Sequence, residues 1–431
     1  MSGIPRRDFL RIAGGAALLG GTLGFPGLLL AASRKVVIVG GGVGGSTAAK
    51  YLKKLDARIE VTLITDAPHY TSCFLSNEVL SGERTIDSLM FGYQGLARYG
   101  VGLVVDPAVA IDPAQRVVQT AGGTRLDYDA CIVSPGVDFK WDSIEGYDEA
   151  IAEYLPHAWY GGPQTVLLRR QIEAMPQGGT VVIVSPPNPF KCPPGPYERA
   201  SQIAMYFRHH NPRAKILILD AKDAFSKQDL FEQGWAQLYR YGTEDSMIEW
   251  VGAAGGGTVT SLDPSTGTLD AEVEEFRGDV INIIPAQKAG KIAFAADLVE
   301  DDWCPVDKRT FESSRHPGIY VLGDATNASK MPKSAYAANS QAKVAALAIV
   351  ARFDGREPDD ATYVNTCYSI LGEDFGISVA GIYYLDAANN MLEEIPGSGG
   401  VSPLDASAEL RRREVTYAHS WFKNLIDDMM Q

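Results

Sequence analysis

The sequence predicts an α/β protein with two Rossmann-like βαβ domains and a smaller α+β domain at the C-terminus. Three observations predict this fold. An apolar strand leads through a glycine-rich turn into a helix at residues 34–49, and a second pattern of strand, turn, helix and strand covers residues 178–220. A late strand that ends in Gly-Asp, residues 318–325, precedes a long helix rich in Ala and Val. Strands that alternate with helices in this way are typical of parallel sheets, and 431 residues suffice for two or three domains.

The first unit carries the spacing G-x-G-x-x-G at Gly40, Gly42 and Gly45, directly after the apolar run VVIV. In such a turn the first glycine permits the sharp bend, the second lets the backbone approach a pyrophosphate, and the third lets the helix pack on the strand. The free N–H groups at the start of the helix favour the phosphates. A glycine-rich turn that binds nothing is the alternative, but the complete βαβ unit favours a dinucleotide site.

A carboxylate that contacts the ribose is expected about 20 residues further on, at the end of the second strand. The predicted strand, residues 60–64, is followed by Thr65 and then by Asp66. The match is imperfect because Thr65 holds the position directly after the strand. We predict Asp66 as the ribose contact.

The second unit keeps the strand and helix pattern but loses the glycines. Five prolines stand between Ser185 and Gly195. Because proline has no N–H to donate and fixes its own backbone angle, this turn does not cradle a pyrophosphate in the usual way. The sequence therefore predicts a second dinucleotide fold without its nicotinamide ligand, whose rigid loop presents Cys192.

The second half of the cofactor site is predicted near the late strand. Gly323 and Asp324 end that strand, and Lys333 precedes the helix at residues 335–352. In FAD proteins of this arrangement the aspartate contacts the ribityl and pyrophosphate region, and the positive end of the helix dipole faces the flavin. An ordinary Gly-Asp turn is the alternative. Lys191 and Lys333 attract an anionic ligand or are solvated surface charges. Together with the first glycine turn, these residues predict FAD.

The chain has five cysteines, which are Cys73, Cys131, Cys192, Cys304 and Cys367. Cys131 lies on an apolar strand and is expected in the core, and Cys304 is expected to be structural. Cys192 and Cys367 are candidates for a long-range pair, which is either redox-active or a staple that ties down the C-terminal region. Cys73 is then left over, and an unpaired thiol in an exported chain calls for a bond to something else.

Composition and the first residues indicate export and exclude some partners. The net charge of −14 argues against nucleic acid or an anionic membrane surface as a partner. Residues 1–33 carry Arg6 and Arg7, an apolar stretch rich in Gly and Ala, and a small-residue end, which is typical of a twin-arginine signal peptide. A retained membrane anchor is the alternative. We expect a periplasmic protein without stable membrane insertion.

These patterns divide the chain into four parts. Residues 1–33 form the leader, residues 34–145 and 286–355 a discontinuous FAD-binding domain, residues 146–285 the second dinucleotide fold, and residues 356–431 a C-terminal domain. The last helix carries an apolar stripe that includes Tyr417, Trp421, Phe422 and Met430. The stripe touches a membrane, a partner or its own chain. Packing on its own chain is favoured, because Asp427 and Asp428 oppose an anionic membrane.

At this point the motifs resemble a family, the flavoprotein subunit of flavocytochrome c sulfide dehydrogenase, within the pyridine nucleotide-disulfide oxidoreductase-like flavoproteins of glutathione-reductase-like fold. The resemblance rests on the twin-arginine leader and on VVIVGGGVGG, CPPGPYERASQ, WCPVD, GDA, MPKSAYAANSQ and NTCYSIL, together with residues 70–78 around Cys73. The stretches around Cys73, Cys192 and Cys367 are the specific ones. The glycine turn alone is shared by very many proteins.

The resemblance implies a concrete function. It implies an FAD bound covalently through Cys73 and a redox-active disulfide between Cys192 and Cys367 beside the flavin. It also implies that hydrosulfide is oxidised to sulfur or polysulfide and that a small c-type cytochrome subunit accepts the electrons. The chain itself has no C-x-x-C-H, so haem of c type would be carried by the partner.

Glu198, close after Cys192, handles protons in this mechanism or only favours the helix dipole as an N-terminal carboxylate. Two other functions stay open. One is a sulfide:quinone oxidoreductase, which delivers electrons to membrane quinone, and the other is an electron-transfer flavoprotein with a structural disulfide.

Overall fold

Residues 33–431 are described by the computed structural model. The predicted leader, apart from Ser33, lies outside the described residues.

The strands in chain order are β1 (Lys35–Val39), β2 (Glu60–Thr65), β3 (His69–Thr71), β4 (Met90–Gly92), β5 (Gly102–Val105), β6 (Ala108–Asp112), β7 (Val117–Thr120), β8 (Arg125–Asp127), β9 (Ala130–Val133), β10 (Val137–Phe139), β11 (Thr180–Ser185), β12 (Lys215–Asp220), β13 (Ile248–Val251), β14 (Val259–Asp263), β15 (Thr268–Ala271), β16 (Glu275–Arg277), β17 (Val280–Ile283), β18 (Gln287–Ala289), β19 (Ile319–Val321), β20 (Thr362–Gly372), β21 (Phe375–Asp386), β22 (Met391–Glu394) and β23 (Gly400–Val401).

The α-helices are α1 (Val43–Leu55), α2 (Asn77–Ser81), α3 (Gln94–Ala97), α4 (Pro163–Ala174), α5 (Gly195–His210), α6 (Gln228–Tyr239), α7 (Lys291–Ala295), α8 (Ala335–Phe353) and α9 (Ala408–Met430).

The first sheet is parallel and has the strand order β19-β9-β1-β2-β5. Its central strand β1 is apolar from Val36 to Val39 and buried there. Such a run suits a parallel strand that is covered on both faces. Helices α1 and α8 pack on each other at this sheet. The predicted Rossmann-like unit is confirmed.

The second sheet is also parallel, with the order β13-β12-β11-β17. A separate apolar core lies around its strands and includes Ile183, Phe207, Ile218 and Trp235. Strand β10, which precedes the second sheet in the chain, and strand β18, which follows it, form a short antiparallel pair. Two further small sheets are the antiparallel meanders β6-β7-β8 and β14-β15-β16. The α/β fold class is confirmed, whereas the domain boundaries stay a prediction.

The C-terminal residues form an antiparallel sheet with the order β20-β21-β22, and β23 pairs with β21. Helix α9 packs on β20 and β21 and also reaches α1. Its apolar stripe is mostly buried against the rest of the chain, including Phe422, Leu425, Ile426 and Met429, whereas Tyr417 is exposed. The expected packing of this stripe is confirmed. Among residues 33–431 we find no helix whose length and apolar character would let it cross a membrane.

Candidate active site

A cavity of about 600 Å³ opens at the carboxyl edge of the first sheet. Its walls come from the glycine turn, from the loop after β11 and from β20. Most of the predicted site residues line it, namely Gly40, Gly42, Asp66, Cys73, Cys192, Gly323, Asp324 and Cys367. Ligands of parallel α/β sheets bind at this edge, so the cavity lies where a dinucleotide is expected.

The glycine turn is shaped by close approaches that only glycine allows. A Cβ on Gly45 would lie 1.9 Å from the Gly40 carbonyl oxygen, and Gly40 itself has a φ of +103°. At Gly42 the nearest protein atom would be Tyr70 Cε2, 4.0 Å away, and Gly42 lines the cavity. The space above Gly42 is therefore left open on the ligand side. This arrangement fits a pyrophosphate at the start of α1.

Asp324 supplies a second fit to FAD. Its Oδ1 is buried and has no hydrogen-bond partner within the described part of the chain. Burial raises the pKa of this carboxyl, and Lys191 and Lys333 oppose that shift. A buried acceptor without a donor is costly, so a hydroxyl of a bound ribityl chain would satisfy it. The residues present thus fit the cofactor.

Asp66 is exposed at the rim of the cavity. Thr65, by contrast, is buried, and its hydroxyl oxygen lies 3.2 Å from the hydroxyl oxygen of Tyr93. Of the two residues, Asp66 keeps its side chain available, and its role as the ribose contact stays a prediction.

Lys333 lies beneath the Gly323–Ala325 turn and is not a solvated surface charge. Its ammonium donates to the carbonyl oxygens of Asp324 and Thr326, at 2.9 and 2.7 Å. Burial lowers its pKa to about 8. Its own carbonyl accepts the backbone N–H of Cys192 at 2.9 Å. The residue therefore connects the two sides of the site, and contact between its side chain and the cofactor stays a prediction.

Cys192 sits at the bend that leads into α5. Its φ of +57° lies in the left-handed region that a residue with a Cβ rarely adopts. Besides the bond to Lys333, its carbonyl accepts the N–H of Gly195 at 2.8 Å. Such strain persists where the surroundings hold it, often at functional sites. Burial raises the pKa of the Cys192 thiol well above its ordinary value.

Cys367 comes to the same cavity because β20 is tied to α5. The Ile370 N–H donates to Glu198 Oε1 at 2.8 Å, and Gln202 Nε2 donates to the Ile370 carbonyl at 2.9 Å. Glu198 thus holds β20 as well as standing in the first turn of its helix. Burial raises its pKa to about 7, although the Ile370 N–H and Lys227 oppose the shift. A carboxyl of this pKa is suited to exchange protons near neutral pH.

All five cysteines are free thiols in the structure. Cys131 and Cys304 are fully buried in the first core, as expected for structural residues. Cys73, Cys192 and Cys367 line the cavity. The disulfide and the covalent flavin bond stay predictions.

In the second unit, the turn where a nicotinamide cofactor would lie is filled by the protein itself. Asp220, at the end of β12, is fully buried. It accepts the Tyr197 hydroxyl at 2.6 Å and Trp250 Nε1 at 3.0 Å, and it pairs with Lys222. Lys222 also lies 4.8 Å from the ring centre of Phe190. The carboxylate at the position of a ribose contact is thus used internally, and the loss of the nicotinamide site stays a prediction.

Two cations near the cysteines were not found from the sequence. Arg199 is buried, and its guanidinium donates to the carbonyls of His157 and Ala158 and to Asn282 Oδ1. Lys227 is buried and donates to Ser369 Oγ at 2.9 Å. The local sequence around Lys227 carries no signal of its burial. For Arg199, the neighbouring Cys192 motif was the only available hint.

Comparison with known proteins gives the family. Residues 34–159 match a model of pyridine nucleotide-disulphide oxidoreductases. Residues 165–285 match the central part of the sulfide dehydrogenase (flavocytochrome c) flavoprotein chain, and residues 359–430 match the flavin-binding part of flavocytochrome c sulphide dehydrogenase.

Several known proteins are similar to this chain. The sulfide dehydrogenase (flavocytochrome c) flavoprotein chain of Chlorobaculum thiosulfatiphilum is 49% identical over 47 residues, which cover 98% of that sequence and 11% of this chain. The mitochondrial sulfide:quinone oxidoreductase of Dictyostelium discoideum is 23% identical over 319 residues, which cover 69% of it and 72% of this chain. The X-ray structure of the sulfide:quinone oxidoreductase of Aquifex aeolicus has a TM-score of 0.66 at 19% identity and 92% coverage of both chains. The chain belongs to the family of flavocytochrome c sulfide dehydrogenase flavoprotein chains, whose flavin-binding parts indicate FAD.

Proposed function

We propose that this chain is a periplasmic sulfide dehydrogenase that oxidises hydrosulfide through a Cys192–Cys367 disulfide beside FAD and passes the electrons to a c-type cytochrome subunit. One observation carries the proposal: Cys192 and Cys367, far apart in the chain, line the cavity that also holds the glycine turn. Sulfide oxidation is consistent with the family.

The first chemical step is a thiol–disulfide exchange. Hydrosulfide attacks one sulfur of the disulfide, a new S–S bond forms there, and the old S–S bond breaks with its electron pair on the other sulfur. The products are a persulfide on one cysteine and a thiolate on the other, so that atoms and charge balance. Lys191, whose buried ammonium donates to the Trp159 carbonyl at 2.9 Å, adds positive charge at the cavity for the anionic substrate.

Glu198 is the residue suited to move the proton. Its carboxyl lies among the groups that act electrostatically on both Cys192 and Cys367. With a pKa of about 7 it accepts the proton of the persulfide near neutral pH and returns it to solvent. Its hydrogen bond to Ile370 holds the carboxyl against β20 while it does so.

The flavin would be held by residues in the turns that follow strands of the first sheet. Gly42 would leave room for the pyrophosphate, and Asp324, whose buried Oδ1 has no hydrogen-bond partner within residues 33–431, would accept a hydrogen bond from the ribityl chain. When bound, FAD takes up two electrons and can give them up singly. Cys73, on the cavity wall, would form the covalent bond to it.

The covalent bond is tested by precipitating the purified protein with acid and mapping its peptides by mass. Yellow colour in the pellet and an FAD mass on the Cys73 peptide are expected. Flavin that washes out freely would leave FAD binding intact but would remove this role of Cys73.

The acceptor separates the main proposal from its alternative. The relatives from Dictyostelium and Aquifex are named as sulfide:quinone oxidoreductases, so quinone is the competing acceptor. The purified complex with its cytochrome subunit is mixed with sulfide in the presence of a soluble quinone. Reduction of the haem is followed at its absorption band and compared with reduction of the quinone. Faster reduction of haem is expected, and faster reduction of quinone would replace the proposal.

Replacing Cys192 by Ser tests the disulfide mechanism. Loss of sulfide oxidation at normal flavin content is expected. Unchanged turnover would instead favour an electron-transfer flavoprotein with a structural role for Cys192.

The export route is tested separately. Replacing Arg6 and Arg7 by Lys should retain the protein in the cytoplasm, as judged by cell fractionation. Unchanged periplasmic recovery would refute the twin-arginine route.

A further inference from the structure

Lys227 is a buried cation that makes no ion pair within the described part of the chain. It is 8% exposed and precedes α6 with a φ of +62°. Within residues 33–431 its ammonium has one hydrogen-bond acceptor, the neutral Ser369 hydroxyl at 2.9 Å, and no ion pair. Lys222, which is buried to a similar degree, pairs with Asp220. Because an unpaired buried charge is expensive, the position of Lys227 calls for an anion nearby.

The geometry places that anion at Cys367. Ser369 and Cys367 are two residues apart on β20, so their side chains leave the same face of the sheet. Burial lowers the Lys227 pKa, and the negative charge of Cys367 opposes this most, followed by those of Glu198, Cys192 and Glu414. In turn, burial raises the pKa of Cys367, Lys227 opposes that rise, and the charges of Glu198 and Asp324 add to it.

The surroundings of Cys192 differ from those of Cys367. Burial raises its pKa, and the negative charges of Cys367 and Glu198 raise it further, with Lys191 in opposition. The Lys191 ammonium is held by the Trp159 carbonyl.

Arg199 also acts on Cys192, but its guanidinium donates to acceptors on four other residues. The guanidinium of Arg199 is therefore committed elsewhere, and the ammonium of Lys191 also acts on Asp324. The ammonium of Lys227 has one bond, to the neutral Ser369 hydroxyl.

We propose that Lys227 is the positioning residue that fixes the polarity of the disulfide, so that negative charge settles on Cys367 when the bond opens. The proposal rests on the proposed function. The incoming hydrosulfide then bonds to Cys192 Sγ, the Cys192–Cys367 bond breaks, and its electron pair stays on Cys367 Sγ opposite the Lys227 ammonium. Cys192 carries the persulfide. Lys227 makes no ion pair within residues 33–431 while the disulfide is closed, although Glu198 on α5 acts on it electrostatically. Opening the disulfide adds the Cys367 thiolate to its surroundings, which favours opening.

The test measures the thiol pKa values and needs no sulfide turnover. Two single-thiol chains, Cys192→Ser and Cys367→Ser, are purified with flavin, reduced with dithiothreitol, and alkylated with iodoacetamide across pH 6–10. Peptide mapping gives the rate at the remaining cysteine of the pair. The apparent pKa of Cys367 is expected to lie below that of Cys192. A Cys367 pKa above that of Cys192 would overturn the proposal, and this result needs no substitution of Lys227.

The second arm changes the cation. Lys227→Met in the Cys192→Ser chain should raise the apparent pKa of Cys367 by about one unit, which slows its alkylation at pH 7 about tenfold. In the Cys367→Ser chain the same change should alter the Cys192 rate less than about twofold. Lys227→Arg, which keeps the charge, should preserve the Cys367 pKa. Equal shifts at both cysteines, or none, would overturn the proposal.

Flavin absorbance and circular dichroism verify folding, and Lys227→Gln serves if the Met variant loses flavin. If the wild-type protein fails to oxidise sulfide while the single-thiol chains show these pKa values, the proposed function is refuted and the effect of Lys227 on Cys367 stands.

Discussion

The two βαβ units share a topology and use their turns in opposite ways. After β1, the turn is open, and Gly42 leaves space for a ligand. After β11, the turn carries prolines, and the buried Lys222 ammonium donates to Ser185 Oγ and to the Pro186 carbonyl in that turn. The same backbone plan therefore binds a cofactor in one unit and presents a thiol, Cys192, in the other.

The carboxylates at the ends of the second strands show the same contrast. Asp66, directly after β2, is exposed at the cavity. Asp220, at the end of β12, is buried and accepts from Tyr197 and Trp250. A carboxylate at this position is available to a ribose only where the turn beside it leaves room.

The largest expected effect comes from closing the open turn. Gly42→Val places a side chain in the space left for the pyrophosphate, while the extended backbone of Gly42 (φ −74°, ψ −166°) accepts it. We expect the purified variant to lose nearly all bound FAD at unchanged circular dichroism, measured as flavin absorbance per chain. The matched control is Pro187→Ala in the second turn, which is exposed and should keep its flavin. Full flavin content in the Gly42→Val variant would place the pyrophosphate elsewhere.

The second-largest expected effect tests whether Glu198, in the second unit, moves the proton. Glu198→Gln keeps an acceptor for the Ile370 N–H but cannot take a proton. For the wild type we expect kcat for sulfide oxidation to rise with pH through about 7, since Glu198 is neutral below that value and charged above it. The variant should lose that rise and about 100-fold in kcat at pH 8.

Stopped-flow rates across pH 5.5–9 measure this profile. Glu373→Gln, an exposed carboxyl, is the control. An inflection that persists in the Glu198→Gln variant would assign it to another group.

The filled turn is expected to be needed for stability. Lys222→Met leaves Asp220 buried without its cation, which should lower the free energy of unfolding by about 3–5 kcal/mol. Urea denaturation measures the change. Lys423→Met, which removes an exposed pair with Asp427, should cost less than about 1 kcal/mol. Equal effects of the two variants would mean that the buried pair is not stabilising the second unit.

The smallest expected effect concerns the contact between helices α9 and α2. His419 on α9 bonds to Glu78 on α2, and that bond raises the pKa of His419 above its ordinary 6.5. Its contribution is therefore complete below pH 6.5 and is lost as the pH rises through the folded-state pKa. His419→Ala should cost less than about 1 kcal/mol at pH 5.5 and still less at pH 9, by urea denaturation. A larger cost at pH 9 would contradict the assignment.

Local sequence patterns determined the fold class and the cofactor half of the site. An apolar run followed by glycines at fixed spacing can form only a few structures, so β1, the Gly40–Gly42–Gly45 turn and α1 follow from neighbouring residues. The prolines between Ser185 and Gly195 likewise exclude an ordinary phosphate turn without any knowledge of contacts.

Tertiary structure alone decided the rest of the site. The pKa of Glu198 depends on burial and on Ile370, which lies on a strand far along the chain. The single hydrogen bond of Lys227 to Ser369 exists only because β20 packs beside α6. Whether a charged side chain is solvated, paired or buried alone is a property of all the elements that pack around it, and no stretch of sequence near Lys227 contains that information.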